Sequence, residues 1–249
     1  LNIITDPSFY ILAVPVVLMY GMAKGGLGPA VGAISIPILS FVINPVQAAA
    51  IMLPILCVMD IFAVWKFRNH FSSYHLSILL PAGITGIIIA SVLMGHLHPD
   101  AIKFIIGITV ILFCFDYWFR SDAGRKKMSG KLSGYLWGTV AGFTSTQIHA
   151  GGAPVSIYLL PQNLDKIVLM GTMAIFFAVM NYLKLIPYTF MGLLNLDNLM
   201  TSLVLMPLAP IGVTLGHLIL NKVRQKVIYR FLYIALFLSG VKLMYDAIS

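Results

Sequence analysis

Charge is what this sequence lacks. Only 10% of its 249 residues are charged, against roughly 25% in an average soluble domain. Acids are scarcest, 8 against 16 Lys and Arg. A chain that is 59% hydrophobic with a mean hydropathy of +0.95 has more apolar surface than a soluble fold of this length can bury. Its apolar segments are helix-length and show no strand-like alternation, which points to an all-α integral membrane protein rather than a β-barrel. Cysteine is nearly absent: Cys57 and Cys114 both fall inside apolar segments, which excludes a disulfide scaffold and a cysteine metal site. The first residues lack a basic region and a small-residue cleavage site, so no cleavable signal is expected. The net charge of +8 fits loop charges obeying the positive-inside rule, and no nucleic-acid partner is expected. Nor is any cofactor.

Six apolar runs are long enough to cross a bilayer: 45–65, 76–95, 101–119, 166–187, 199–220 and 227–245. At about 1.5 Å per residue each spans a hydrocarbon core of about 30 Å. Two further regions, 9–42 and 132–160, are each interrupted by a glycine-rich break. The first break is Lys24-Gly25-Gly26-Leu27-Gly28-Pro29, and the second is His149-Ala150-Gly151-Gly152-Ala153-Pro154. An offset of 125 carries Lys24 onto His149 and Pro29 onto Pro154. The arms on either side are mostly too short to span alone.

Basic residues cluster at Lys66/Arg68, at Arg120 to Lys131, at Lys166 and at Lys222 to Arg230, together 12 of the 16 Lys and Arg. With all four clusters in the cytoplasm, the region 132–160 must enter and leave on the cytoplasmic side. It is therefore expected to be a re-entrant hairpin, and 9–42 by analogy enters and leaves from outside. Each half is then a broken-helix hairpin plus three transmembrane helices, an odd number of crossings, so the halves are inverted repeats. The expected organisation is repeat one over 1–120, a cytoplasmic linker over 121–131 and repeat two over 132–249, with both termini outside a multi-pass inner (plasma) membrane protein. Val58-Met59-Asp60 matches Val179-Met180-Asn181, and Pro81, Gly83 and Thr85 match Pro210, Gly212 and Thr214, as duplicated halves require.

Backbone that leaves a helix inside a bilayer persists only where protein or a polar cavity satisfies it. Proline suits the first turn of a second arm and glycine the reversal before it. Each second arm then begins at mid-membrane with free N–H groups and its positive dipole end inward, and two such ends beside Lys24 and His149 would hold a small anion. The expected binding residues are Lys24, Gly25, Gly26, Gly28, Gln147, His149, Gly151, Gly152 and Asn181. Other roles stay open for several of these. Lys24 either binds the anion or snorkels, His149 either binds or packs, and Asn181 either meets substrate oxygens or bonds across helices. Asp60 either carries a proton, as His149 could, or balances Lys24 or Lys184 in a buried pair. Ser145 and Thr146, with Gln147, could add neutral donors, and Gln47 packs or lines the path. His70 and His75 inside, and His96 and His98 outside, are read as interfacial, with no metal site.

The stretch from Gly21 through Lys24, Gly28 and Gly32 to Pro37, followed by Asn44-Pro45-Val46-Gln47, resembles the N-terminal signature of the sulfite exporter TauE/SafE family. The stretch from Gly142 through His149, Gly152 and Pro154 to Leu160-Pro161-Gln162 resembles its C-terminal counterpart. The chain departs from the family pattern at Pro29 and Ala153, where a third glycine is common. The resemblance implies a membrane transporter of anionic sulfur compounds such as sulfite, sulfonates and related organosulfur acids. The expectation is a secondary, non-enzymatic transporter with alternating access around a mid-membrane site, with lipid as its surroundings and protons as one candidate coupling ion. A passive anion channel is the alternative, and an intramembrane hydrolase using Ser145 and His149 a remoter one.

Overall fold

A computed structural model describes residues 3–28, 38–39, 41–93, 99–119 and 130–248. Helix α1 runs Pro7–Met22 and passes into a π-helical turn over Ala23–Leu27. Then follow α2 Pro45–Phe67, α3 Ser73–Leu93, α4 Pro99–Phe119, α5 Lys131–Ile148, α6 Gly152–Leu159, α7 Lys166–Phe190, α8 Leu196–Leu205, α9 Leu208–Lys222 and α10 Gln225–Ile248. The starts are written in local chemistry. Asp6, Asn44 and Asp165 each accept a hydrogen bond from the backbone N–H two residues on, capping α1, α2 and α7. Pro7 and Pro45 occupy the first turn, where a missing N–H leaves nothing unpaired. At the exposed N-terminal end, the Ser8 hydroxyl and N–H hold the Asp6 carboxyl below its usual range. Replacing Asp165 by alanine removes the cap of α7 and is expected to lower stability by about 1 kcal/mol, read as a lower melting temperature in detergent.

Five described helices are long and apolar enough to cross a membrane, among them α1 with its π-helical turn, Pro7–Leu27, an arm expected to fall short of spanning, and a sixth crossing is available if α8 and α9 act as one span. The protein is therefore an all-α, multi-span membrane protein. Large apolar side chains face outward around it, among them Ile11, Ile88, Leu112, Ile186 and Leu238, as contact with lipid chains requires. Helix α2 is the most enclosed span, with 72% of its apolar stretch buried against 44–50% for the others, so the polar groups it carries lie at the centre of the bundle.

The region expected as one helix over 199–220 is two helices bent by 45°. Pro207 sits at the bend with no N–H to donate, and its ring opposes continuation of the preceding turn. On the α8 side Ser202 donates to Ile51 O at 2.7 Å, fastening the short helix to α2.

Four helix pairings organise the body: α1 on α9, α3 on α5, α2 on α7 and α4 on α10. Three of them meet glycine to glycine, α4 on α10 through Gly107 and Gly240. A Cβ placed on Gly21 of α1 would lie 2.8 Å from Gly212 Cα of α9, and one placed on Gly142 of α5 would lie 2.0 Å from Gly83 O of α3. Backbones approach this closely only where a side chain is missing from the contact.

Candidate functional site

Both breaks end a helix in the same way. In the first, Gly28 N–H bonds Ala23 O at 2.8 Å, with Gly26 and Gly28 at φ 159° and 88°. A residue with a side chain is disfavoured at φ 88°, so Gly28 permits this exit from the helix. In the second, His149 takes the left-handed conformation and its N–H closes on Thr144 O. Matching the closures carries position 28 onto 149, an offset of 121 that also carries Gly21 onto Gly142 and Asp60 onto Asn181. In this register the counterpart of Lys24 is Ser145. The match by glycines at 125 stands one helical turn away, because it aligns the loop residues and not the carbonyls where the helices stop.

A stripe on α7 joins the two breaks. Phe177, Asn181, Lys184 and Tyr188 recur at four-, three- and four-residue spacing and so share a face. Toward the first break, Lys24 Nζ and Asp60 Oδ1 form a buried ion pair, and Lys24 also stands 5.9 Å from the centroid of Phe177. Asn181 Nδ2 donates to the other carboxylate oxygen, Asp60 Oδ2, at 2.6 Å. Toward the second, Lys184 Nζ donates to Ser145 Oγ at 3.0 Å and to Ser145 O at 3.2 Å. His149 Nε2 stands 2.8 Å from the Tyr188 hydroxyl, which itself reaches Thr146 O at 3.4 Å. A cavity of about 20 Å³, lined by Lys24, Asp60, Met170, Met173 and Phe177 among others, adjoins the ion pair. It has room for one water.

Most residues singled out from the sequence gather here. Of the two lysines available to Asp60, Lys24 is the one that pairs with it, and Asn181 bonds across helices to the same carboxylate. Gly25 and Gly26 lie against α9, where a Cβ would meet Val213 O at 2.1 Å and Leu220 Cβ at 2.6 Å respectively. Gly151 lies against α5, and Gly152 opens α6, whose residues are all buried. Gln147 turns to α3 and donates to Ala90 O at 3.1 Å, and Gln47 donates to Asn198 Oδ1 at 3.3 Å. Ser145 and His149 have separate partners, Lys184 and Tyr188, and no hydrogen bond joins them among the described residues. Pro29, His96 and His98 lie outside the described residues, as does most of the Arg120 to Lys131 cluster.

His75, expected at the interface, is buried, with Nδ1 2.9 Å from the Tyr158 hydroxyl. Tyr188 and Tyr158 carried no signal beyond an aromatic in an apolar run. Lys184 did carry one, being a cation in mid-segment, but its neighbour Ser145 lies 39 positions away and only the fold brings them together. Tyr188→Phe removes the hydroxyl that engages His149. It is expected to cost about 1–3 kcal/mol through an unpaired buried nitrogen, and an unchanged melting temperature would contradict this role.

A lipid-facing helical body that collects its few buried charges where two helices break is that of a membrane transporter. The chain belongs to the Sulfite exporter TauE/SafE family, whose description matches residues 13–243. No match was found among curated proteins or among solved structures.

Proposed function

We propose that the protein is a secondary transporter of a small sulfur-containing anion, such as sulfite or a sulfonate, working by alternating access between two inverted repeats. The halves are 1–120 and 132–249, joined by a cytoplasmic linker over 121–131, and each opens with a re-entrant hairpin, 9–42 and 132–160. Both termini face away from the cytoplasm across the inner membrane. Substrate oxygens take hydrogen bonds from backbone N–H groups of Gly25, Gly26, Gly151 and Gly152, with Gly28 lining the first break. Lys24, His149, Gln147 and Asn181 complete the polar surround, and Asp60 and His149 are the candidate proton carriers.

One observation carries this reading: a single face of α7 makes polar contacts at both breaks, Asn181 to Asp60 beside Lys24 at the first, and Lys184 to Ser145 and Tyr188 to His149 at the second. Buried ionisable groups inside a membrane mark transport pathways. The pairing pattern supports the inverted halves. Under a twofold relation α1 on α9 is the mate of α5 on α3, while α2 on α7 and α4 on α10 are each their own mate. The close glycine contacts obey the same exchange, Gly21 with Gly212 answering Gly142 with Gly83. Asp60 and Asn181, equivalent positions of the two halves, touch each other directly, as residues beside a twofold axis do.

The test is flux into proteoliposomes, comparing sulfite, thiosulfate, small sulfonates and acetate with and without a pH gradient. Saturable uptake of sulfur anions over acetate is expected. Equal, non-saturating movement of all four would favour the passive channel. Asp60→Asn bears on coupling: full gradient-driven uptake in that variant removes Asp60 as proton carrier.

A further inference from the structure

The two breaks are unequal in charge. At the first, Lys24 is neutralised by Asp60. At the second, the position equivalent to Asp60 is the neutral Asn181, and the cation has moved from the hairpin to the crossing helix as Lys184. Lys184 is 1% exposed and has no carboxylate partner among the described residues. Its ammonium group has three N–H donors, of which Ser145 O and Oγ take two. The third N–H and the Ser145 hydroxyl proton have no acceptor among the described residues. A buried charge held only by neutral oxygens is costly, and the penalty is relieved by an opposite charge at close range.

We infer that Lys184 and Ser145 bind the anionic group of the substrate, which takes against Lys184 the place that Asp60 takes against Lys24. The assignment rests on the anion-transport reading above and adds a charge count to it. With Lys24 and Asp60 cancelling, a protonated Lys184 supplies one positive charge to the bound anion. It neutralises a singly charged head group, a sulfonate or hydrogensulfite, and leaves a doubly charged one in excess. Lys24, for which binding and snorkelling were both open, then serves as half of a buried pair with Asp60.

The test uses the full chain in proteoliposomes with radiolabelled methanesulfonate as probe, and unlabelled methanesulfonate or sulfate as competitor. In the wild-type protein methanesulfonate competes and sulfate does not. Lys184→Met is expected to weaken uptake and competition roughly 100-fold, the loss of a hydrogen bond and charge at the anion, and Ser145→Ala roughly tenfold. Removing an unpaired buried cation leaves folding intact or improved, so Lys184→Met should melt no lower than wild type in detergent. A variant that melts far lower reports a structural role and overturns the assignment. Uptake unchanged in Lys184→Met overturns it as well, while the transport reading stands. Equal competition by sulfate overturns the single-charge count. Wild-type protein that moves no sulfur anion at all defeats the transport reading, and this assignment with it.

Discussion

Asp60→Ala, with Lys24 left in place, is expected to cost about 3–5 kcal/mol of stability. Asp60 is fully buried on the most enclosed helix, and its two oxygens serve Lys24 and Asn181. Truncation strands an ammonium group and an amide in a place water barely reaches, since the adjoining cavity holds about 20 Å³. The loss therefore comes mainly from the partners left unpaired, and only in small part from the attraction itself. That distinction can be measured. Removing both charges together, as Lys24→Met with Asp60→Leu, should recover most of the loss, because a buried ion pair replaced by apolar groups of similar volume is often neutral or stabilising. Melting in detergent followed by size-exclusion chromatography reads the cycle. A double variant as unstable as Asp60→Ala would mean that the charges are needed for folding as such.

Gly142→Val is the second large effect. The first atom of any side chain at this position would fall 2.0 Å from Gly83 O, backbone against backbone, with no flexible group to move aside. Helices α3 and α5 would have to separate along their whole shared face, so the cost should exceed the roughly 1–3 kcal/mol of ordinary overpacking. The expected result is loss of monodisperse protein at an expression level where wild type gives a single peak. Gly130→Ala, which meets nothing within 4 Å, is the control and should behave as wild type. Gly21→Val at the answering contact should repeat the defect. Normal folding of Gly142→Val would contradict the close crossing.

Much of this arrangement is legible in the chain because a membrane helix has few ways to stop. Paired glycines with a proline soon after them, in the middle of an apolar run, must interrupt the helix, and both breaks fall where Lys24-Gly25-Gly26 and His149 to Gly152 place them. Asp60 is likewise legible: a lone carboxylate in an apolar segment requires a cation, and Lys24 and Lys184 were the available ones. Which of the two pairs with it depends on the relative depth of three helices, which no spacing along the chain encodes. The same holds for Lys184 and Ser145. Hydropathy averages over Pro207, so a single span over 199–220 reads the same whether straight or bent, although the missing N–H was there to be seen. His75 reads as interfacial because its neighbours in sequence are polar, while the Tyr158 hydroxyl that buries it comes from the far half of the chain.

Solute counterflow tests the account most directly. Proteoliposomes are loaded with unlabelled methanesulfonate and diluted into a trace of labelled methanesulfonate, with no ion gradient imposed. A carrier whose single site turns alternately to each face must show a transient overshoot of label above its final level, and the overshoot should vanish in Lys184→Met. Label that rises smoothly to equilibrium without overshoot in the wild-type protein would contradict alternating access at this site.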